Sequence, residues 1–107
     1  MPVTVDPNNI RNESETFTGL TAGNGQILKV PTNVCQVVVS YFPTAAGSAA
    51  IKYTAAPNTP TDFTNMPTTF DGEFVAAGGQ EIQGAVRWIG LDPVSGTWTL
   101  NVSYRTR

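Results

Sequence analysis

The stretch Thr97-Trp98-Thr99-Leu100-Asn101-Val102-Ser103-Tyr104-Arg105 decides the fold. Trp98, Leu100, Val102 and Tyr104 fall on one face, and Thr97, Thr99, Asn101, Ser103 and Arg105 on the other. Successive side chains of a strand point to opposite sides, so a period of two predicts a half-buried strand here. Just upstream, Asp92-Pro93-Val94-Ser95-Gly96 sets a proline where a turn presets φ and a glycine where the chain leaves it. That arrangement predicts a closing hairpin.

The same pattern recurs upstream. Val34 to Phe42 is apolar at nearly every position and rich in β-branched residues, which predicts a central strand covered on both faces. Phe17 to Leu20, Gln26 to Val30, Ala49 to Ala55, Glu73 to Ala77 and Glu81 to Leu91 read as further strands, the last with Ile82, Val86 and Trp88 in register. Between them, Gly23-Asn24-Gly25, Asp71-Gly72-Glu73 and Gly78-Gly79 read as turns. The span from Pro57 to Thr69 holds three prolines and many threonines, and reads as a surface loop pinned by Phe63, Met66 and Phe70. No window of a dozen residues carries an apolar stripe at helical spacing. Short strands separated by proline and glycine indicate an all-β fold, an antiparallel β-sandwich or barrel of about eight short strands.

Size and composition agree with one such unit. A chain of 107 residues and 11.4 kDa is expected to fold to a surface of about 5,800 Å² from about 16,500 Å² unfolded, enough burial for one core. The expected organisation is an extended N-terminal arm over residues 1–14 and a single β-sandwich domain over 15–107. The arm has turn-forming residues and no period, with Val3, Val5 and Ile10 as its apolar anchors. It reads either as a frayed end or as a segment that orders against a neighbouring subunit or surface.

Composition excludes much chemistry. There is no histidine and one cysteine, so neither a Ser-His-Asp or Cys-His nucleophile system nor a Cys/His zinc site can be built. Cys35, among valines, reads as a small buried thiol. No catalytic residue, metal or cofactor is expected. Charged residues make up 13% of the chain, about half the share of an ordinary soluble domain. Six basic residues stand against eight acidic ones for a net charge of −2. They are dispersed except for Arg105 and Arg107, which speaks against nucleic acid as a partner. Those two arginines read as a solvated tail or as a contact to an acidic partner. No apolar run is long enough for a membrane span, and the start lacks the basic and apolar regions of a secretory signal, so synthesis in a cytoplasm is expected. Trp88 and Trp98 read as core packing, with an aromatic platform for a sugar as the sharper alternative.

Two segments carry a resemblance. Gly47-Ser48-Ala49-Ala50-Ile51-Lys52-Tyr53-Thr54-Ala55-Ala56-Pro57 is one. The other joins Gly84-Ala85-Val86-Arg87-Trp88-Ile89-Gly90 to Ser95-Gly96-Thr97-Trp98-Thr99-Leu100-Asn101-Val102. In this cysteine-poor, threonine-rich setting they resemble the small virion proteins of tailed bacteriophages, over about half the chain. The resemblance implies a jelly-roll-like cement or decoration protein on the capsid surface of the virion. Its partner would be the major capsid protein, and it would act as a dimer or trimer without catalysis. Val3, Val5, Ile10, Arg105 and Arg107 are the candidate partner-binding residues. The other readings are a head–tail adaptor or tail-fibre part, and a small carbohydrate-binding module.

Overall fold

The computed structural model describes residues 3–9, 14–31, 34–66, 68–83 and 86–106, without the side chains of residues 6–9, 35, 65, 68–71, 83 and 106. Ile10, Arg107 and the Cys35 side chain, all singled out in the sequence, lie outside what is described. The strands are β1 (Thr4–Asn9), β2 (Ser14–Leu20), β3 (Gln26–Lys29), β4 (Val34–Ala45), β5 (Ala49–Thr54), β6 (Thr68–Phe74), β7 (Gly78–Gln83), β8 (Trp88–Pro93) and β9 (Thr97–Thr106). Among the described residues there is one 3-10 turn, Phe63–Asn65, capped by Asp62, whose carboxylate accepts from the Thr64 amide at 2.9 Å.

Two sheets form, one in the order β1-β3-β8-β5-β6 and the other β2-β9-β4-β7. Four antiparallel pairs are nested in sequence: β2 with β9, β3 with β8, β4 with β7, and β5 with β6. That is one long hairpin rolled so that successive pairs alternate between sheets, the jelly-roll arrangement. The sandwich and jelly-roll expectation therefore holds, with eight strands in the roll. The ninth, β1, comes from the N-terminal arm and pairs parallel with β3, Thr4 opposite Gln26 and Val5 opposite Ile27.

Several local readings are corrected by this topology. The Asp92–Gly96 turn is not a hairpin, because β8 and β9 lie in different sheets. Its amides turn away from its own ladder: those of Val94 and Ser95 donate to the Ser48 carbonyl at 2.8 and 3.1 Å. Gly96 takes φ +76°, which lets the chain arch from one sheet to the other. Glu81 to Leu91 is not one strand; Ile82 belongs to β7 and Trp88 to β8 in the opposite sheet. The crossing is tied at Arg87, whose amide donates to the Thr54 carbonyl and whose carbonyl accepts from the Val30 amide. Gly78 and Gly79 are not a turn but open β7, opposite Tyr41 and Ser40. Asp71-Gly72-Glu73 is not a turn either. It is a bulge within β6, where the register shifts between Ala50 opposite Glu73 and Ile51 opposite Phe70, with Gly72 at φ +68°. The tight turn after β2 centres on Ala22 and Gly23, closed by Thr21 and Asn24, two residues earlier than a turn centred on Asn24-Gly25.

The main core lies between the sheets, with Val39, Ile51, Ile89, Leu91, Leu100 and Val102 fully buried. At one end Tyr41 stacks on Phe74 at 3.8 Å between ring centres, and Trp98 meets Phe74 edge-on at 5.4 Å. The Trp98 indole N–H donates to the Ser95 carbonyl at 3.0 Å, so the ring that fills the core also holds the arch.

Candidate interaction face

A sandwich has two outer faces, and this chain treats them differently. On the five-stranded sheet the outward positions include Ile27, Trp88 and Gly90, which an uncovered sheet would leave wet. The segment linking β5 to β6 folds back over them: Phe63 and Met66 form a second buried cluster with Ile27 and Trp88. Phe63 and Met66 thus pin the loop as expected; the Phe70 side chain is outside the description. Beside this cover, the Lys52 ammonium donates to Asp92 Oδ2 at 2.7 Å and sits 5.8 Å from the Phe63 ring centre. Val3 and Val5 pack against the same cluster from the edge. Over β3 and β8 this face is covered by the chain itself.

The outer face of the four-stranded sheet is open. Here the expectation that β4 is covered on both sides fails: Val37, Val39 and Tyr41 are buried, whereas Val38 is 37% and Phe42 47% exposed. No segment among the described residues folds back on this side in the way the β5–β6 link does on the other. Register fixes the rows. Ser40 stands beside Asn101, which stands beside Thr16. Val38 lies between Glu81 and Ser103, Gln36 is opposite Arg105, and Phe42 is opposite Thr99.

The polar groups of this face bond along it. Asn101 Nδ2 donates to Thr16 Oγ1 at 2.8 Å, Ser103 Oγ donates to Asn101 Oδ1 at 3.3 Å, and Gln36 Nε2 donates to Glu81 Oε1. Short hydroxyl and amide side chains held in rows make a flat, nearly neutral surface. Val38 and Phe42 rise from it. Such a surface favours wet, hydrogen-bonded contact with a small apolar centre over steering of a charged ligand.

The sequence-selected residues do not converge. Arg105 lies exposed near the end of β9, on the open sheet, while Val3 and Val5 belong to the closed one. Val38 and Phe42 were hidden inside an apolar run. The signal that marks them is Gln36, Ser40 and Thr44 at the intervening outward positions, since polar residues at alternate places indicate a wet side. Trp98 is fully buried and Trp88 3% exposed, so neither ring offers a face to a sugar.

No family model matches the chain, and no curated protein matches it. Among solved structures it is similar to PirA, at 14% identity over 94% of this chain and 100% of that one, with a TM-score of 0.51. It is also similar to PliG of Aeromonas hydrophila, a periplasmic lysozyme inhibitor of g-type lysozyme, at 10% identity, 97% and 98% coverage and a TM-score of 0.46. A third similarity is to a protein of the Bacillus endospore appendages, a family of disulfide-linked pili, at 12% identity, 88% and 84% coverage and a TM-score of 0.44. None of the three is named as a capsid protein. The likeness to PirA places the chain among small β proteins, and at this identity it concerns the fold alone.

Proposed function

We propose that this chain is a non-enzymatic structural protein that binds the surface of an assembled bacteriophage capsid and stabilises it, acting as a homo-oligomer. The observation that supports this reading is the unequal treatment of the two outer faces. One is covered by the chain's own loop; the other is a flat hydroxyl and amide surface around Val38 and Phe42.

Size sharpens the reading. Four strands at about 4.8 Å spacing and six residues at about 3.3 Å give a face of about 400 Å². A stable pairwise interface uses about 800 Å² per partner. One face alone therefore binds weakly, and many copies on a regular shell gain by multivalency. The protein is expected to bind assembled, expanded capsids and to ignore free capsid subunits.

The test is co-sedimentation with expanded capsids of the phage whose genome encodes the chain, together with capsid melting. Binding at many sites per shell with a higher melting temperature supports decoration. Labelling of one vertex in electron micrographs would point to a head–tail adaptor instead. No co-sedimentation and unchanged melting would sink the virion reading.

A further inference from the structure

The jelly roll of β2 to β9 is complete without β1. Its four nested pairs supply four strands to each sheet, and β1 is added outside them, parallel in a sandwich whose other strand pairs run antiparallel. The position it fills is nevertheless a built one. β3, which it covers, is a buried strand: Gln26, Ile27 and Leu28 are all enclosed. The Thr4 amide donates to the Gly25 carbonyl at 3.0 Å, and Val3 and Val5 close the edge of the Ile27, Phe63, Met66 and Trp88 cluster. Without a strand there, β3 would present a bare edge, which invites a strand from another chain.

The connection to the rest of the fold is short. β1 ends at Asn9 in one sheet and β2 begins at Ser14 in the other, with four residues of sequence between them. Five steps of at most about 3.6 Å reach about 18 Å, enough to cross sheets about 10 Å apart. A strand from a second copy would make every contact that the chain's own strand makes, because the two are identical. Only the link decides whose strand is used.

We propose that the slot beside β3 is an exchange site, in which the Thr4–Asn9 strand of one copy pairs with β3 of a second. This stands independently of the capsid reading, since the partner is the same chain. Exchange of an identical element is a low-cost route to linked copies. A short link holds its own strand at an effective concentration in the millimolar range. Exchange therefore competes when local concentration reaches that range, as it does where copies are crowded on a surface.

The first test is the full chain lacking residues 11–13. Asn9 then reaches Ser14 in two steps, about 7 Å, short of the roughly 10 Å between sheets, so β1 can stay in its own slot only by giving up the Asn9–Lys29 pairing. With that competitor weakened, the midpoint for association is expected to fall at least tenfold below the millimolar range of the natural chain. Sedimentation should show dimers or larger species at concentrations where the natural chain is monomeric, with parental circular dichroism. A folded monomer would overturn the proposal. Should that variant fail to fold, the natural chain decides. Labelled and unlabelled copies are refolded together at about 1 mM and about 1 µM, and examined by native mass spectrometry after dilution. Mixed dimers formed only at the higher concentration, and persisting on dilution, support exchange. Monomers at both concentrations overturn it, as do dimers that fall apart at once on dilution or that Phe42→Lys abolishes, which would belong to the open face.

Discussion

Phe63 shows how one side chain seals a sheet. Its ring lies over a floor without side chains: a Cβ built on Gly90 would come 3.0 Å from Phe63 Cε1 and 2.2 Å from the Gln26 carbonyl oxygen. Gly25 is as tight, with Phe63 Cε2 at 2.8 Å and the Leu91 carbonyl oxygen at 2.4 Å. The obstacles include backbone oxygens of the adjoining strands, which cannot swing aside as a flexible side chain can. Gly90→Ala is therefore expected to destabilise the fold by about 3 kcal/mol, the upper end for an overpacked core site. Phe63→Ala is expected to cost a similar amount, about 3 kcal/mol, by emptying the same space. Urea unfolding of the two variants measures both, and a loss under about 1 kcal/mol in either would show the loop to be loosely seated. The neighbouring Lys52–Asp92 pair is a quarter exposed on each side, so solvent screens it and it contributes under about 1 kcal/mol. Shape, not charge, holds the cover down.

Among the elements, β4 carries the functional question. Its inward residues Val37, Val39 and Tyr41 belong to the core, and its outward residues Val38 and Phe42 face water. Phe42 is 47% exposed, so about half of its side chain is covered, and Phe42→Lys should cost about 1 kcal/mol, well below a core substitution. The same substitution places a charge within the proposed contact and is expected to weaken capsid binding at least tenfold. Thermal melting of the free protein and co-sedimentation with shells read the two effects separately. Unchanged binding would show that the contact lies elsewhere.

The strands also show what the sequence could and could not tell. The alternation in β9 was readable residue by residue because a period of two directly reports which side chains share a face. The period says nothing about which strand lies alongside. Asp92-Pro93-Val94-Ser95-Gly96 has turn chemistry that serves a hairpin and a sheet-to-sheet arch equally. The arch is chosen by the Ser48 carbonyl, 44 residues before Asp92, which accepts the turn's amides. Continuous apolar character in β4 likewise looked like burial on both sides, although Gln36, Ser40 and Thr44 marked one side as wet. The slot beside β3 was the least readable. Val3 and Val5 stood out as anchors, but their receptor is assembled from Ile27, Phe63, Met66 and Trp88, which are far apart in sequence.

At the scale of the whole molecule, the distribution of charge predicts how binding responds to salt. The net charge is −2 and 13% of residues are charged. Across the open face, Ser40, Asn101 and Ser103 lie on the two central strands and Thr16 on the β2 edge, with Glu81 on the β7 edge and Arg105, of opposite sign, near the end of β9. Exposed charges more than about 10 Å apart are largely screened at 0.1 M salt, so a contact built on clustered charges weakens steeply as salt rises. A protein that neutralises 6–10 phosphates loses about 10³–10⁵ in affinity between 50 and 200 mM. Hydrogen bonds from hydroxyls and amides, with Val38 and Phe42 desolvated beside them on β4, have no such dependence. Capsid affinity is therefore expected to change by less than about threefold over that range, measured by co-sedimentation at fixed pH. A fall of tenfold or more would mean that dispersed charges such as Arg105 carry the contact, and the neutral face would lose its claim to be the binding surface.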